Sequence, residues 1–171
     1  MESIEVITKS GKETKKLGGK LAKEIAISHM PYATGRKAYG LRRALVLSLE
    51  GELGAGKTTF TQGFAKGLGV KENPRSPTFV IMRVYEITPL NPPYFKGEKR
   101  NRFSNFIHID AYRISTKDLK VLGWDEFSKN PKNIILIEWG NILKKAMPKK
   151  TIRIIFKHAG HSQHRLITII Q

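Results

Sequence analysis

The chain has 171 residues, a formal net charge of +17 and no cysteine, which suits one domain over residues 1–171 and excludes disulfides and thiolate chemistry. It contains neither a run of about eighteen apolar residues nor a basic-then-apolar leader, so we expect a cytoplasmic protein without a membrane span. The positive charge would attract polyanions such as RNA, DNA or an anionic membrane surface, although lysines spread along a chain also fit an ordinary solvated surface.

The N-terminal region predicts a short strand and then an amphipathic helix. Residues 4–7 alternate weakly between apolar and polar side chains, and Ser10 and Glu13 have the S-x-x-E spacing of a capping box. The apolar face of the helix that starts there has residues four positions apart: Leu17, Leu21 and Ile25. Its lysines form the solvated face, and we expect it to end at Pro31.

A phosphate-binding loop is predicted after the next strand. Residues 44–49 are almost continuously apolar and predict a buried strand, and the segment from Gly51 to Thr58 has the spacing G-x-x-x-x-G-K-[ST]. Glycines let backbone N–H groups approach an anion closely. A helix should begin at about Lys57 and add its N-terminal dipole to phosphate binding. Lys57 can then reach the β- and γ-phosphates, and the Thr58 hydroxyl can ligate Mg²⁺.

Two later apolar segments carry an acid at their ends. Residues 106–110 finish with Asp110, and residues 133–139 contain Glu138 next to their last position. Ligands collect at the carboxyl ends of parallel strands, so both acids should meet a magnesium ion held by Thr58. We expect Glu138 to lie closest to the metal, with Asp110 assisting. The alternative for each acid is a strand-end residue that caps a helix.

The C-terminal segment predicts an antiparallel strand pair. Residues 151–156 and 165–170 are β-rich and are separated by Gly160 and polar residues. Three histidines lie between the two runs: His158, His161 and His164. Their spacing could suit zinc, but an exposed polar loop is the commoner explanation where no cysteine or carboxylate accompanies them.

Four short motifs occur in a fixed order along the chain. They are residues 51–60 (GELGAGKTTF), 76–79 (SPTF), 108–113 (HIDAYR) and 137–139 (IEW). In this order they resemble the TsaE (YjeE) family, and the resemblance covers nearly the whole chain. That family is a small bacterial ATPase required for threonylcarbamoylation of the tRNA adenosine beside the anticodon.

The resemblance implies an α/β protein with a P-loop NTPase fold. Its central sheet would be mostly parallel, with helices on both faces and an antiparallel C-terminal strand pair. ATP and Mg²⁺ would be the ligands, and homologues of TsaB and TsaD, the pair that transfers the threonylcarbamoyl group, would be the partners. By motif, the implied nucleotide-binding residues are Glu52, Leu53, Gly54, Ala55, Gly56, Lys57, Thr58, Thr59 and Trp139. The implied catalytic residues are Lys57, Asp110 and Glu138, and the implied metal ligands are Thr58, Asp110 and Glu138. Ser76 and Thr78 would lie on a switch-like loop.

Three features depart from the family pattern. Glu52 stands where the family usually has Asp, the loop predicted over residues 86–102 is longer than usual, and the positive charge is atypical. The long loop and the positive charge leave undecided which surface binds a partner. One possibility is a direct contact with tRNA through basic side chains. A small P-loop kinase with lid arginines at Arg100 and Arg102, or a nucleotide-switched RNA-binding module, is the alternative function. A GTPase is disfavoured because the chain has no Asn-Lys-x-Asp sequence.

Overall fold

The computed structural model describes residues 3–28, 42–74, 81–88 and 103–171. Pro31, the 76–79 motif and most of the loop predicted over residues 86–102 therefore lie outside the described residues. Over the described ranges, no helix has the length and apolar content needed to cross a membrane.

The described residues form one seven-stranded sheet with the order β1-β7-β6-β2-β5-β4-β3. In chain order the elements are β1 (Ser3–Thr8), α1 (Gly11–Ser28), β2 (Leu45–Glu50), α2 (Lys57–Leu68), β3 (Met82–Glu86), β4 (Asn105–Asp110), α3 (Thr116–Val121), α4 (Trp124–Phe127), β5 (Asn133–Glu138), a 3₁₀ segment (Gly140–Ala146), β6 (Ile152–Ala159) and β7 (His161–Ile170). Strands β6, β2, β5 and β4 run parallel to one another. Strands β7 and β1 are antiparallel at one edge and β3 at the other. The predicted α/β class and mostly parallel centre are confirmed.

The helices cover both faces of the sheet, as the sequence predicted. Helices α1 and α2 pack on one face, and α3, α4 and the 3₁₀ segment pack on the other. Side chains alternate along each strand, so Leu47 of β2 faces α1 and α2 while Val46 faces the opposite layer. This alternation decides which strand residues can reach the loop before α2.

Helix α1 begins where the sequence predicted, with a variant of the expected cap. The Ser10 hydroxyl accepts a hydrogen bond from the Glu13 N–H at 3.2 Å, whereas the Glu13 carboxylate accepts from the Lys9 N–H at 2.8 Å, one residue earlier than in a standard capping box. The predicted apolar face is also confirmed, because Leu17 and Leu21 pack against the core and Ile25 lies within it.

The C-terminal pair is antiparallel as predicted, but its strands are longer than expected. Strands β6 and β7 are joined at Gly160, which has a left-handed φ of 65°. The predicted exposed loop is therefore wrong. His158 belongs to β6, and His161 and His164 belong to β7. Over the described ranges, no group of three or more His, Asp or Glu residues is placed to hold a metal ion.

Glycines let α1 and α2 touch backbone to backbone. A Cβ atom on Gly63 of α2 would overlap the Lys15 carbonyl of α1, and one on Gly67 would overlap the Gly19 carbonyl. Close packing of this kind leaves no space for one added carbon. The contact fixes the position of α2 and therefore of the loop that precedes it.

Substitution of Gly63 by Ala tests this packing. Alanine favours a helix over glycine by about 0.8–1 kcal/mol, but here the clash should reverse the sign and destabilise the protein by about 1–3 kcal/mol in urea unfolding. Gly11→Ala is the control, since its Cβ would meet only the Thr59 Cγ2 at an ordinary 3.7 Å. That variant should stay within about 0.5 kcal/mol of wild type. Equal stabilities for the two variants would contradict the packing argument.

Candidate functional site

The loop between β2 and α2 has the backbone shape that its glycines permit. Gly56 is the N-cap of α2 with φ 98°, and α2 begins at Lys57, as predicted. No side chain of the described residues caps this end, so the first N–H groups of the helix are available to an anion. Gly51, with φ 142°, lies so close to the Phe156 carbonyl of β6 that a Cβ there would overlap it.

Lys57 folds back onto the loop. Its Nζ donates hydrogen bonds of 2.8 Å to the carbonyl oxygens of Gly51 and Glu52 and lies 3.7 Å from the centroid of the Trp139 ring. Burial lowers the pKa of Lys57, while the nearby carboxylates of Glu138 and Asp110 act in the opposite direction. The ammonium group therefore lies within the loop and is hydrogen-bonded to two neutral carbonyl oxygens, which an anion could replace.

The two predicted acids converge on this loop. Asp110 ends β4 and Glu138 ends β5, and the two residues pair directly across the parallel ladder. Both are buried, with exposures of 7% and 2%. The Thr58 hydroxyl donates to Glu138 Oε2 at 2.9 Å, and Asp110 Oδ1 accepts from the Tyr112 N–H at 3.1 Å. The carboxylate oxygens of Asp110 and Glu138, together with the Thr58 hydroxyl, could hold a metal ion.

Two buried side chains also lie against Glu138, and the sequence analysis gave them no role. His108 Nε2 is 2.9 Å from Glu138 Oε1, and the Thr61 hydroxyl is 3.4 Å from the same oxygen. A signal existed for both. His108 lies two residues before Asp110, and alternation puts both on one sheet face. Thr61 lies one helical turn after Lys57, on the same side of α2.

Trp139 forms one wall of the cleft in a strained conformation. Its φ of 61° makes it the one non-glycine residue with positive φ in the described ranges, at a cost of about 1–3 kcal/mol. Its N–H donates to the Leu49 carbonyl at 2.8 Å, which ties the end of β5 to the end of β2. The Trp139 and Tyr112 ring centroids are 5.0 Å apart.

These residues enclose a cleft of about 440 Å³. Most of the predicted site residues line it: Leu53, Gly54, Gly56, Lys57, Thr58, Thr59, Asp110, Glu138 and Trp139. Two predicted residues do not. Ala55 is buried, and Glu52 contributes its carbonyl to Lys57. Tyr112 and Arg113 also line the cleft, although the sequence analysis assigned them no function.

The match to a family agrees with this geometry. The family described as "Threonylcarbamoyl adenosine biosynthesis protein TsaE" matches residues 8–167. The chain belongs to the TsaE family. The resemblance inferred from the four motifs is thereby confirmed, and with it the family's place in the biosynthesis of threonylcarbamoyladenosine in tRNA.

Two curated relatives and one solved structure show how far the similarity extends. The tRNA threonylcarbamoyladenosine biosynthesis protein TsaE of Bacillus subtilis is 37% identical over 121 residues, which cover 71% of this chain and 66% of the relative. The protein of the same name in Streptomyces coelicolor is 39% identical over 107 residues, which cover 61% of this chain and 63% of that relative. The chain thus spans slightly less than two thirds of these relatives. The crystal structure of Bacillus subtilis YdiB matches with a TM-score of 0.63 and 28% identity, over 98% of this chain and 84% of that one. The predicted P-loop fold is confirmed.

A second cavity of about 320 Å³ adjoins the first at Gly54, Gly56 and Thr59. It lies between the start of α1 and the β6–β7 hairpin. Arg165 of β7 borders it and donates to the Gly54 carbonyl at 3.0 Å, so the C-terminal hairpin holds the tip of the phosphate loop in this TsaE-family chain. The contact of Arg165 with the loop could not be predicted from the sequence, because no local pattern relates residues 111 positions apart.

An ion pair supports the strand that leads into the loop. Arg153 donates two 2.8 Å hydrogen bonds to the two carboxylate oxygens of Glu50, the residue before Gly51. The hydrogen bonds from Arg153 lower the pKa of Glu50, and the same bonds raise the pKa of Arg153. This bidentate geometry is the one in which a partly exposed pair contributes to stability.

The lowered pKa of Glu50 predicts a pH-dependent contribution to stability. Because the pKa is lower in the folded state, the contribution is present above the unfolded value of about 4.3 and is lost as pH falls through the folded value. Wild type should therefore be more stable than Glu50→Gln by about 1 kcal/mol near neutral pH, and the difference should narrow in acid. Urea unfolding across pH measures it, with Glu24→Gln on the exposed side of α1 as the control. A difference that stays constant with pH would contradict the role of the pair.

Proposed function

We propose that this TsaE-family chain binds ATP with Mg²⁺ and hydrolyses it in the threonylcarbamoyladenosine modification of tRNA, together with homologues of TsaB and TsaD. The observation that carries the proposal is the contact of 2.9 Å between the Thr58 hydroxyl and Glu138 Oε2, beside Lys57 at the start of α2. A P-loop hydroxyl held by a strand-end acid is the arrangement that P-loop NTPases use to bind a nucleotide-bound metal ion.

The phosphate end of the nucleotide would occupy the larger cleft. The uncapped N–H groups at the start of α2 and the ammonium group of Lys57 provide positive charge there. Lys57 would exchange the Gly51 and Glu52 carbonyls for the β- and γ-phosphates. The second cavity adjoins the loop at Gly54 and Gly56 and offers space for the nucleoside.

The few oxygen donors of the cleft suit Mg²⁺, which would also be coordinated by the nucleotide and by water. They do not form a complete set of protein ligands for a metal ion. Magnesium keeps several waters and takes one or two carboxylates together with substrate phosphates. Thr58, Glu138 and Asp110 supply one hydroxyl and two carboxylates, and no larger cluster of metal-binding side chains exists over the described ranges. When bound, the ion would neutralise the charge that develops on the transferred phosphoryl group.

The two acids would have different tasks. Glu138 orients the Thr58 hydroxyl and would lie closest to the metal. Asp110, one strand further from the loop, would assist through water or by orienting the attacking water molecule. Both carboxylates are largely shielded from solvent, which strengthens their interaction with charge inside the cleft.

The surroundings of the cleft favour hydrolysis that depends on a partner. Leu53 is 83% exposed and Tyr112 is 53% exposed, and both line the cleft. Apolar surface at the mouth of a catalytic cleft is suited to a protein that closes it and excludes water. We therefore propose slow turnover by the isolated chain and faster turnover with the TsaB and TsaD homologues, in the cytoplasm.

A direct contact with tRNA is proposed on the net charge of +17 alone. Lysines and arginines that neutralise RNA phosphates release counterions, so such a contact would weaken steeply with salt. The same charge is the observation that favours the RNA-binding alternative, which differs in needing no nucleotide turnover. The kinase alternative depends on Arg100 and Arg102, which lie outside the described residues.

Removal of the Lys57 ammonium group tests nucleotide binding. Lys57→Ala should lose most of the affinity for Mg-ATP, because it removes the ammonium group that would bind the β- and γ-phosphates. Isothermal titration calorimetry measures this. Lys66→Ala, at an exposed position of the same helix, is the matched control and should bind like wild type. Unchanged affinity in a folded Lys57→Ala protein would refute the proposed site.

Neutralisation of the two acids tests hydrolysis. Asp110→Asn and Glu138→Gln should each lower partner-stimulated ATP turnover at least about tenfold, or roughly 1.4 kcal/mol of barrier, while binding nucleotide far better than Lys57→Ala. Phosphate release is measured with the chain alone and with TsaB and TsaD homologues plus tRNA. Asp125→Asn, an exposed acid of α4, is the control.

Each result separates a part of the proposal. Near-full turnover in both acid variants would refute the catalytic assignment. A wild-type rate that the partners cannot increase would refute the partner dependence. Phosphate transferred to a small acceptor would identify a kinase, and tRNA binding without any turnover would favour the RNA-binding module.

A further inference from the structure

We infer that His108 is a positioning residue that fixes the carboxylate of Glu138, an inference that rests on the proposed ATP hydrolysis. His108 lies in the middle of β4 and is 0% exposed. Its Nε2 is 2.9 Å from Glu138 Oε1, while Glu138 Oε2 accepts from Thr58 at the same distance. Each carboxylate oxygen is therefore held by a different element, Oε1 by the sheet and Oε2 by the phosphate loop.

The surroundings assign Nε2 as the ring nitrogen that carries the proton. His108 Nδ1 is buried, and no hydrogen-bond partner for it exists in the described part of the chain. The neighbouring Phe106 ring stacks on one face of the His108 ring at a centroid distance of 6.3 Å. A proton on Nδ1 would be a buried donor without an acceptor, which is costly. The Nε2–H group therefore donates to Glu138.

Over the described ranges, the other side chain near Glu138 Oε1 is Thr61, and its hydroxyl is engaged elsewhere. The Thr61 hydroxyl has one proton and donates it to the Lys57 carbonyl at 3.0 Å, while its distance to Glu138 Oε1 is 3.4 Å. The terminal torsion of a glutamate is broad and roughly two-fold. Without His108, the Glu138 carboxylate would be held mainly by Thr58 and would be freer to rotate about this bond.

The position of His108 in the sheet supports a role other than packing. On the same face of β4 and β5, Phe106, Ile134 and Leu136 are apolar core residues. An imidazole at this place buries two polar nitrogens where a leucine would bury none, and that costs free energy unless a hydrogen bond compensates. The bond to Glu138 is the compensation that the geometry provides. His108 and Glu138 are 30 residues apart in sequence, and β4 lies two strands from β2, the strand that leads into the loop.

Three variants separate positioning from stability. His108→Leu removes the donor with a small change in volume, His108→Gln restores a neutral N–H donor, and Ile107→Val perturbs the opposite face of the same strand. His108→Leu should lower kcat at least about tenfold, with KM for ATP within about twofold, and should raise the Mg²⁺ concentration needed for half-maximal nucleotide binding in calorimetry. His108→Gln should recover most of the loss. Ile107→Val should change only the melting temperature.

A double-mutant cycle shows whether His108 acts through Glu138. In the Glu138→Gln background, His108→Leu should change kcat less than about twofold, because the group that it positions is already lost. If the kcat reductions of His108→Leu and Glu138→Gln multiplied in the double variant, the two residues would act independently and the inference would be overturned. A His108→Leu protein with wild-type kcat and Mg²⁺ dependence would also overturn it, provided that wild type turns over and Lys57→Ala does not bind.

A measurement without nucleotide keeps the inference distinct from the proposed function. Nitrogen-15 NMR of the histidine rings should show His108 as the Nε2–H tautomer, with a resonance that moves in Glu138→Gln and stays in Asp125→Asn. A ring protonated at Nδ1, or a resonance indifferent to Glu138, would overturn the inference even if ATP turnover is found. The predicted spectrum with no turnover by wild type would instead refute the proposed function, and with it the catalytic use of His108.

Discussion

A hydrogen bond between Thr58 at the start of α2 and Glu138 at the end of β5 joins the phosphate loop to the sheet. The rest of the site depends on it. Because Glu138 is buried, and a carboxylate is costly to bury without hydrogen-bond partners, the surrounding elements must supply donors. The loop supplies one through Thr58, and β4 supplies the other through His108. A small polar cluster thus stands at one end of an otherwise apolar core.

The loop is fixed from several directions, each by a different kind of contact. Glycine packing of α2 against α1 sets the position of the helix, and Arg165 of the C-terminal hairpin holds the Gly54 carbonyl. Arg153 holds Glu50, and the strained backbone of Trp139 connects β5 to β2. These supports preorganise the loop, so that an anion entering the cleft has little backbone to rearrange. Lys57 is the exception, since in the proposed nucleotide complex it would leave its carbonyl partners.

Sequence patterns were reliable for features that depend on near neighbours. The phosphate loop, the start of α2 and the apolar face of α1 follow from glycine conformations and helical periodicity, which act over a few residues. Asp110 and Glu138 were found because a strand-end position can be read from a short apolar run. The histidine-containing segment was misread as a loop, since polar side chains on an exposed hairpin give no apolar alternation from which strands could be recognised.

The sequence by itself determined the loop, its helix and most of the residues that line the larger cleft, because each belongs to a motif whose geometry is local. Only the tertiary structure decided which distant groups meet there. Thr58 and Glu138 are 80 residues apart, and Arg165 and Gly54 are 111 apart. Their contacts depend on the order of β7, β6, β2, β5 and β4 and on the parallel register that sets Asp110 beside Glu138. Strand order and register follow from the packing of both faces of the sheet at once, and no local pattern encodes them.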